Sequence, residues 1–388
     1  MLTRSRRDSD NQNPRPVTLL TTVGRRRSPI LRLGSRGKAP RSLASALVLC
    51  LTLMLAGCSG GAEARVGAPP RPTTTSTTAP ASTSAGHARR APTPLPSPAT
   101  LHPFISPATP GEGSWTAAGR TVRDSPAVYE TALIPPGGTQ PAGIAWMDTH
   151  LLSARLYSGS KSPGGGPYEF TAPIQTAQAA ALVAAFNGGF MMNAAMGGYY
   201  TEGRTVVPLV MGAASLVIYA NGSVTVGAWG TDVSMTPHVV AVRQNLVPLV
   251  AGGQPTALAT SPEWQAWGNT CGATSCSSTV PGIERQWRSG AGVTTDGALV
   301  YAAGPDLAPS QLAQLLVHAG VIRGMELDIN PNWPVFATYD PSPPNGLAAP
   351  SNGSSLQPSS VQNAATFFNP AWARDFVTMS AGATGVAG

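Results

Sequence analysis

The stretch SLVIYANGSVTV (215–226) decides the fold class, because two β-rich runs flank the dipeptide Asn-Gly at positions 221–222. Both turn residues tolerate a positive φ, and Asn-Gly between such runs is the strongest short signal for a β-hairpin. The stretch GVTTDGALVY (292–301) repeats this pattern with Asp-Gly, and residues 239–243 form another strand-like run. The sequence therefore predicts a domain in which hairpins dominate.

Two further stretches have the apolar spacing of helices. Residues 173–181 are rich in Ala and begin with Pro. Residues 309–319 also begin with Pro, place their Leu residues on one stripe and stop at Gly320, which suits the left-handed residue that closes many helices. Hairpins with interspersed helices predict an α+β fold: a mostly antiparallel, twisted sheet with flanking helices, in a single domain behind a disordered N-terminal leader and linker.

Composition and charge limit the functions of this chain. It has 388 residues, of which 38 are Pro and 43 are Gly, and only 11% are charged, which favours one folded body with long appendages. The net charge of +7 is concentrated at the start: residues 1–41 contain 11 Lys and Arg against 2 Asp and Glu, whereas residues 116–388 contain 10 against 14. A mildly acidic body lacks the basic face that nucleic-acid binding requires, so we expect no nucleic-acid partner.

Residues 1–58 are predicted to be a basic leader and a lipoprotein-type signal peptide. An apolar run of 13 residues (43–55) is too short to cross a membrane comfortably but suits a signal-peptide core. The tetrapeptide LAGC (55–58) at its end resembles a bacterial lipobox, in which the Cys thiol receives the lipid. We therefore expect a lipid anchor on Cys58 that holds an extracellular domain at the outer face of the cytoplasmic membrane. An uncleaved membrane anchor and ordinary secretion are the alternatives.

The remaining boundaries follow from composition. Residues 59–115 are dominated by Pro, Thr, Ser, Ala and Gly and are predicted to be a disordered linker. Residues 116–379 are long enough to bury a core, and residues 380–388 are predicted to be a flexible tail. Within the domain, Cys271 and Cys276 form an even pair in an exported chain, which predicts a disulfide. A metal site, the alternative, lacks further ligands nearby.

Two polar segments are candidate binding sites. The segment NGG (187–189) follows a predicted buried strand, and its glycines let the backbone approach a ligand or present N–H groups to an anion. A tight turn is the alternative. The segment RQN (243–245) ends another strand and suits phosphate or sugar hydroxyls, with a solvated strand edge as the alternative.

A third candidate lies in GMELD (324–328). Strand alternation buries Met325 and Leu327 and places Glu326 and Asp328 on the opposite face, so that two carboxylates would share one surface. An Asn and a Trp follow within five positions. A salt-bridged or solvated face is the alternative.

Several common catalytic motifs are missing from the sequence. It contains no G-x-S-x-G elbow, H-E-x-x-H helix, P-loop or G-x-G-x-x-G segment. The predicted domain holds only three histidines, His150, His238 and His318. A serine triad or a His-rich metal centre is therefore not expected.

Five blocks, taken in order, carry a resemblance to a known family. They are AFNGGF (185–190), the hairpin at 212–226, VRQN with PLV (242–250), the hairpin at 288–300, and the stretch from a helix-ending Gly to a Leu-Asp pair (320–328). Together they resemble the phosphodiester glycosidase domain over roughly residues 145–379. The family's last block commonly reads Leu-Asp-Gly-Gly, whereas this chain has LDIN (327–330). Either the pocket is reshaped for another glycan, or catalysis is altered or lost.

The resemblance implies a hydrolase of glycosyl-1-phosphodiester linkages that releases a sugar and a phosphomonoester. It implies Asp328 as the stabilising or basic carboxylate, Glu326 as the second carboxylate, and Asn330 as the residue that positions a hydroxyl or water. The substrate-binding residues that it implies are Asn187, Gly188, Gly189, Arg204, Arg243, Gln244 and Trp333. Tyr199 and Tyr200 are further candidates for stacking on a sugar, and core packing explains them equally well.

The expected partners are a cell-envelope or capsular glycan phosphodiester and, through the lipid anchor, the membrane. The chemistry requires no cofactor, although a structural divalent cation could bind near Asp328. The alternative function is a non-catalytic glycan-binding or envelope-assembly lipoprotein on the same fold, which the LDIN departure favours. The sequence leaves the sugar, the aglycone and the oligomeric state open.

Overall fold

A computed structural model describes residues 93–268, 283–343 and 346–382, which all belong to one compact unit of the chain. The predicted leader, the lipid-anchor residue Cys58 and the pair Cys271 and Cys276 lie outside the described residues, as does most of the predicted tail. No helix in the described part of the chain is long and apolar enough to span a membrane.

The described residues form eighteen strands, two α-helices and three short 3-10 helices. The strands are β1 (Thr116–Ala117), β2 (Val128–Leu133), β3 (Ala142–Met147), β4 (Leu152–Tyr157), β5 (Leu182–Asn187), β6 (Tyr199–Thr201), β7 (Arg204–Val207), β8 (Ala214–Tyr219), β9 (Val224–Ala228), β10 (Val239–Gln244), β11 (Val250–Ala251), β12 (Gln254–Pro255), β13 (Gln286–Thr294), β14 (Leu299–Leu307), β15 (Val321–Ile329), β16 (Phe336–Tyr339), β17 (Gly353–Ser355) and β18 (Phe376–Ala381). The helices are α1 (Thr176–Ala179) and α2 (Pro309–His318), and the 3-10 helices are Trp264–Trp267, Pro350–Asn352 and Ala364–Phe368.

The strands make three sheets, and every pairing between them is antiparallel. An eight-stranded sheet has the order β1-β2-β3-β14-β13-β15-β11-β12. Two five-stranded sheets have the orders β7-β6-β10-β8-β9 and β17-β16-β5-β18-β4. The predicted hairpins form as β8–β9 and β13–β14, and the predicted strand at 239–243 is β10. The predicted fold class, mostly antiparallel sheet with few helices, is confirmed.

Aromatic packing joins the eight-stranded sheet to the sheet that contains β5. The ring of Phe186 on β5 lies 5.5 Å from that of Tyr301 on β14 and 6.3 Å from that of Phe336 on β16. All three side chains are buried. Because large rings bury much apolar area, this contact fixes the end of β5, and with it the polar segment at 187–189, against β13 and β14.

The two predicted helices differ in how well they match. Helix α2 covers almost the whole predicted range and buries Leu312, Leu315 and Leu316, and Gly320 beyond it has a φ of +90°. Helix α1 has only four residues and no side-chain cap. It ends early because the chain from Leu182 onward is needed for β5, which is buried along its whole length.

The folded body begins before the predicted boundary at residue 116. Side chains from the predicted linker pack against the apolar cluster that contains α2: Leu95, Leu101, Phe104 and Trp115. The amide of Leu95 donates to Asp148 Oδ2 over 2.8 Å, and His318 Nε2 lies 2.7 Å from the carbonyl oxygen of His102. Composition alone suggested a linker here because Pro and Thr outnumber the few apolar anchors.

Removing residues 93–115 should therefore lower stability. We expect a protein that begins at residue 116 to lose on the order of 3 kcal/mol of unfolding free energy relative to one that begins at Thr93, since several partly buried apolar side chains are lost. Urea denaturation of the two proteins measures the difference. Equal stability would show that the packing of this segment contributes nothing.

Candidate active site

The two carboxylates of β15 do not share a face as predicted. Glu326 pairs with Gly290 and Ile329 pairs with Arg288, so that two residues of β15 between these pairs lie opposite one residue of β13. Such a bulge interrupts the alternation of side chains. Leu327 accordingly packs in one apolar cluster and Ile329 in another.

Glu326 forms a closed structural ion pair. Its two carboxylate oxygens lie 3.1 and 2.9 Å from Nη1 of Arg288, and both side chains are fully buried. Arg288 also donates to the carbonyl oxygens of Leu307, Trp267 and Glu284. Burial raises the pKa of Glu326 to about 7, and Arg288 opposes this rise. The predicted role of Glu326 as a second catalytic carboxylate has no support in this arrangement.

Asp328 forms an open ion pair with Arg374. Its Oδ1 accepts the amide of Ile329 at 2.8 Å, while its Oδ2 lies 3.2 Å from Arg374 Nε without the alignment of a hydrogen bond. Within the described residues, Nε and Nη1 of Arg374 have no hydrogen-bond partner. Burial raises the pKa of Asp328 to about 8, and Arg374 lowers it in part. This pair therefore retains unused hydrogen-bonding capacity.

The indole of Trp333 lies beside this open pair. The guanidinium carbon of Arg374 is 4.2 Å from the centre of a Trp333 ring, and the rings of Trp333 and Trp372 are 5.6 Å apart. The side chain of Arg374 is 11% exposed and that of Asp328 is 2% exposed. Asp328 Oδ2 and Nε and Nη1 of Arg374 are themselves buried. Two of the predicted site residues, Trp333 and Asp328, thus both lie next to the Arg374 guanidinium.

Asn187 joins the first predicted segment to Asp328 through a serine. Its Nδ2 donates to Ser289 Oγ at 3.0 Å, and Ser289 Oγ donates to the carbonyl oxygen of Asp328 at 3.0 Å. Its Oδ1 accepts from Tyr301 Oη at 2.8 Å and from the amide of Val335 at 3.0 Å. Two segments about 140 positions apart therefore meet, but the side chain of Asn187 is buried and serves as a structural link.

The glycines at 188 and 189 are required by the protein's own side chains. A Cβ on Gly188 would lie 2.1 Å from Asp375 Oδ2, and a Cβ on Gly189 would lie 2.5 Å from Asn245 Oδ1. The amide of Gly188 donates to the carbonyl oxygen of Asp375 at 2.8 Å. The backbone anion site predicted here is therefore taken by Asp375.

Arg243 also turns inward instead of facing a phosphate. It is 1% exposed and contacts Asp375 twice, with Nε at 2.7 Å from Oδ2 and Nη2 at 3.2 Å from Oδ1. Its Nη1 and Nη2 also donate to the carbonyl oxygens of Gln244 and Phe190. Ser162 Oγ completes the site by donating to Asp375 Oδ1 at 3.0 Å. The predicted phosphate contact by Arg243 does not fit this closed arrangement.

The other predicted polar residues serve the backbone. Gln244 is buried, accepts the amides of Gly198 and Val210, and donates to Val210 O and Ser215 Oγ. Asn245 bridges Phe190 N to the carbonyl oxygens of Glu326 and Leu327. Tyr199 is buried, with the Arg243 guanidinium carbon 5.9 Å from its ring centre, and Tyr200 packs against an apolar cluster. Core packing is therefore the role of both tyrosines.

Arg204 lies in a different environment from the buried cluster. It is exposed, donates to the carbonyl oxygen of Pro167 at 2.9 Å, and lies over the ring of Tyr168. Both contacts hold a surface loop. Its predicted contact with a substrate phosphate has no support among these contacts.

Asn330 adopts a backbone conformation that favours Gly. It has a φ of +68°, and its Oδ1 accepts the amide of Asn332 at 2.9 Å. Asn is among the few residues other than Gly that adopt this left-handed conformation readily. The backbone turn after β15 is thus compatible with Asn in place of Gly, while Ile329 is buried in the core.

Sequence reasoning missed four residues of this region: Arg288, Ser289, Arg374 and Asp375. The signal for the last two is the dipeptide Arg-Asp at 374–375, directly before the apolar strand β18. Charged residues at such a position are buried only when they are paired. No comparable signal distinguishes Ser289 from other serines of the chain.

The residues present do not fit the structural cation considered near Asp328. Asp328 and Asp375 each have an arginine beside them, Arg374 and Arg243, and the raised pKa of Asp328 further disfavours a negative charge in the cluster. In the described residues, no group of three or more His, Cys, Asp and Glu side chains could hold a metal ion.

Comparison with known proteins gives structural neighbours only. The sequence matches no protein-family model and no curated protein. The fold is similar to the catalytic domain of zebrafish N-acetylglucosamine-1-phosphodiester alpha-N-acetylglucosaminidase, auto-inhibited by its pro-peptide, at 15% identity and a TM-score of 0.40, covering 69% of this chain and 87% of that one. A hypothetical protein from Synechocystis has 12% identity and a TM-score of 0.33, covering 69% and 64%. A Burkholderia pseudomallei chain described as an exported protein has 12% identity and a TM-score of 0.34, covering 62% and 74%. At these identities the likeness concerns the fold and not the residues of the site.

Breaking the pair of Arg243 and Asp375 should destabilise the fold strongly. We expect Arg243→Gln to cost about 3–5 kcal/mol, because it leaves a buried carboxylate without its cation. The matched control is Arg285→Gln, which opens an exposed pair with Asp306 and should cost less than about 1 kcal/mol. Chemical denaturation measures both; similar losses would contradict the assignment.

Asp328 should make stability depend on pH. Its pKa rises from 3.8 to about 8 on folding, so the folded protein binds more protons than the unfolded chain between these values. The contribution of Asp328 to stability is therefore greatest at low pH and falls as the pH rises through about 8. We expect Asp328→Asn to flatten the decline in unfolding free energy between about pH 4 and about pH 8. An unchanged slope in urea titrations would contradict this.

Proposed function

We propose that this chain is a hydrolase of glycosyl-1-phosphodiester linkages in cell-envelope glycans, which releases a sugar and a phosphomonoester. The observation that carries the proposal is the open pair of Asp328 and Arg374, whose Oδ2, Nε and Nη1 atoms have no hydrogen-bond partner among the described residues. The five sequence blocks that resemble phosphodiester glycosidases support it, because Asn187 is linked through Ser289 Oγ to the backbone carbonyl oxygen of Asp328.

Arg374 would bind the phosphate in this proposal. A guanidinium offers a planar fork of donors that matches phosphate oxygens, and two of its donor atoms are free of partners in the described residues. Trp333 packs on the guanidinium at 4.2 Å and limits its movement. The phosphate would thereby neutralise the Arg374 guanidinium, which, unlike that of Arg243, has unpartnered nitrogen atoms among the described residues.

Asp328 would act in its protonated form. Its pKa of about 8 leaves it neutral at lower pH, and a bound phosphate on Arg374 would remove the charge that opposes this rise. The neutral carboxyl can donate a hydrogen bond to the oxygen that leaves the anomeric carbon. Because a phosphomonoester has a second pKa of about 6, its oxygen needs little help from an acid. The bond between the anomeric carbon and this oxygen breaks through an oxocarbenium-like state, and water adds to the carbon and loses a proton to solvent.

The proposal also includes a cellular location for the enzyme. A lipid on Cys58 would hold the chain at the outer face of the cytoplasmic membrane, and the sequence between Cys58 and Thr93 would carry the folded body to wall or capsule polymers. The support is the lipobox-like LAGC (55–58) and the Pro-rich and Thr-rich composition that follows it.

A second candidate is a glycan-binding protein without catalysis. The observation in its favour is that Asn187, Arg243 and Gln244 direct their polar atoms to protein partners. Fewer side chains than predicted remain for a substrate.

Sugar release from a panel of sugar-1-phosphodiesters and nucleoside diphosphate sugars tests the proposal. We expect turnover by the wild-type protein, a loss of about tenfold in Asp328→Ala, whose side chain can donate no hydrogen bond to the leaving oxygen, and a rate that falls as the pH rises through about 8. The control Asp306→Asn removes an exposed carboxylate and should retain full activity. Absence of turnover with retained glycan binding would favour the binding protein, and absence of both would refute the proposal.

A further inference from the structure

The predicted phosphate ligand Arg204 contacts a surface loop that leads back to the candidate active site. This loop, residues 159–169, is closed at its neck, where the amide of Ser158 donates to Phe170 O at 2.9 Å. Arg204 holds its tip by donating to Pro167 O at 2.9 Å and by lying over the ring of Tyr168, 4.9 Å from its centre. The loop is therefore bound to the turn between β6 and β7.

Glu202, in the turn between β6 and β7, holds the C-terminal end of the loop, next to its neck. Its two carboxylate oxygens accept the amides of Glu169 and Phe170 at 3.1 and 3.0 Å. Glu202 has a φ of +49° and Gly203 a φ of +72°, which is the backbone geometry that a two-residue turn between the paired strands β6 and β7 requires. This hairpin turn presents the Glu202 carboxylate to the loop.

The first part of the loop pairs with the backbone around Arg374. The amide of Ser160 donates to Trp372 O at 2.7 Å, and the amide of Ser162 donates to Ala373 O at 2.9 Å. A Cβ on Gly159 would lie 2.2 Å from Arg374 O, so only Gly permits this approach. Ser162 Oγ also donates to Asp375 Oδ1 at 3.0 Å. The loop thus holds the backbone on both sides of Arg374, whose Nε and Nη1 have no hydrogen-bond partner among the described residues.

We propose that Arg204 and Glu202 are positioning residues for Arg374. By holding the loop 159–169, they fix the backbone of residues 372–375 and so align the Arg374 guanidinium with Asp328. Arg204 would then affect phosphate binding indirectly, through the position of Arg374, without touching the phosphate itself. The kinetic part of this inference rests on the proposed function, whereas the coupling between the turn and residues 372–375 does not.

Hydrogen exchange tests the coupling without a substrate. We expect Arg204→Ala to speed exchange at the amides of Ser160 and Ser162 by about tenfold, since two loop contacts are lost. The matched control is Arg285→Ala. Arg285 precedes β13, away from the loop 159–169, and it also donates to a loop carbonyl, that of Gly137, at 3.3 Å. This control should leave exchange at Ser160 and Ser162 unchanged. Unchanged exchange in Arg204→Ala as well would overturn the proposal.

Steady-state kinetics on a sugar-1-phosphodiester test the consequence for the site. We expect Arg204→Ala to raise KM about tenfold while kcat changes less than about threefold, because Arg374 binds the phosphate throughout the reaction. The descending limb of the pH profile should move to higher pH, since Arg374 opposes the raised pKa of Asp328. Faster exchange with unchanged KM and pH profile would overturn the positioning role. Faster exchange with no turnover by the wild-type protein would support the coupling and refute the proposed function instead.

Discussion

The buried ion pair between Arg243 and Asp375 is the constraint on which the rest of the structure depends. Two opposite charges taken out of water are tolerated only if nearly every donor and acceptor finds a partner. Here the Arg243 guanidinium donates two hydrogen bonds to the Asp375 carboxylate and two more to backbone carbonyl oxygens. Ser162 Oγ donates a further hydrogen bond to the carboxylate. These requirements bring the ends of β5 and β10 and the start of β18 to one point.

The cluster contains a second, adjacent pair with the opposite character. Arg243 is enclosed by oxygens, whereas Arg374 has one aspartate and an indole ring beside it. The closed pair gives the region its shape, and the open pair leaves donors that have no partner among the described residues. Both pairs consist of an arginine and an aspartate, so their residue types do not distinguish them. The structural pair has partners for its donors and acceptors, whereas the candidate catalytic pair has unpartnered polar atoms among the described residues.

Local signals in the sequence predicted the local structure well. Asn-Gly and Asp-Gly mark β8–β9 and β13–β14 because a hairpin turn depends on a few adjacent residues. The roles of Glu326 and Arg204 were predicted less well, since each depends on partners far along the chain. The bulge in β15 is set by pairing with β13, and alternation read from one strand cannot reveal it. Short side-chain patterns also gave no indication that the folded body includes residues 93–115, whose few apolar anchors are scattered among prolines.

The absence of side chains at positions 188 and 189 has an evolutionary consequence. A methyl group at either position would occupy space that belongs to a carboxylate, an amide or a guanidinium. Substitutions at Gly188, Gly189, Arg243 or Asp375 are therefore not independent, since a change at one site is tolerated only after compensating changes at the others. Homologous proteins with this arrangement should therefore either keep all four residues or replace them together.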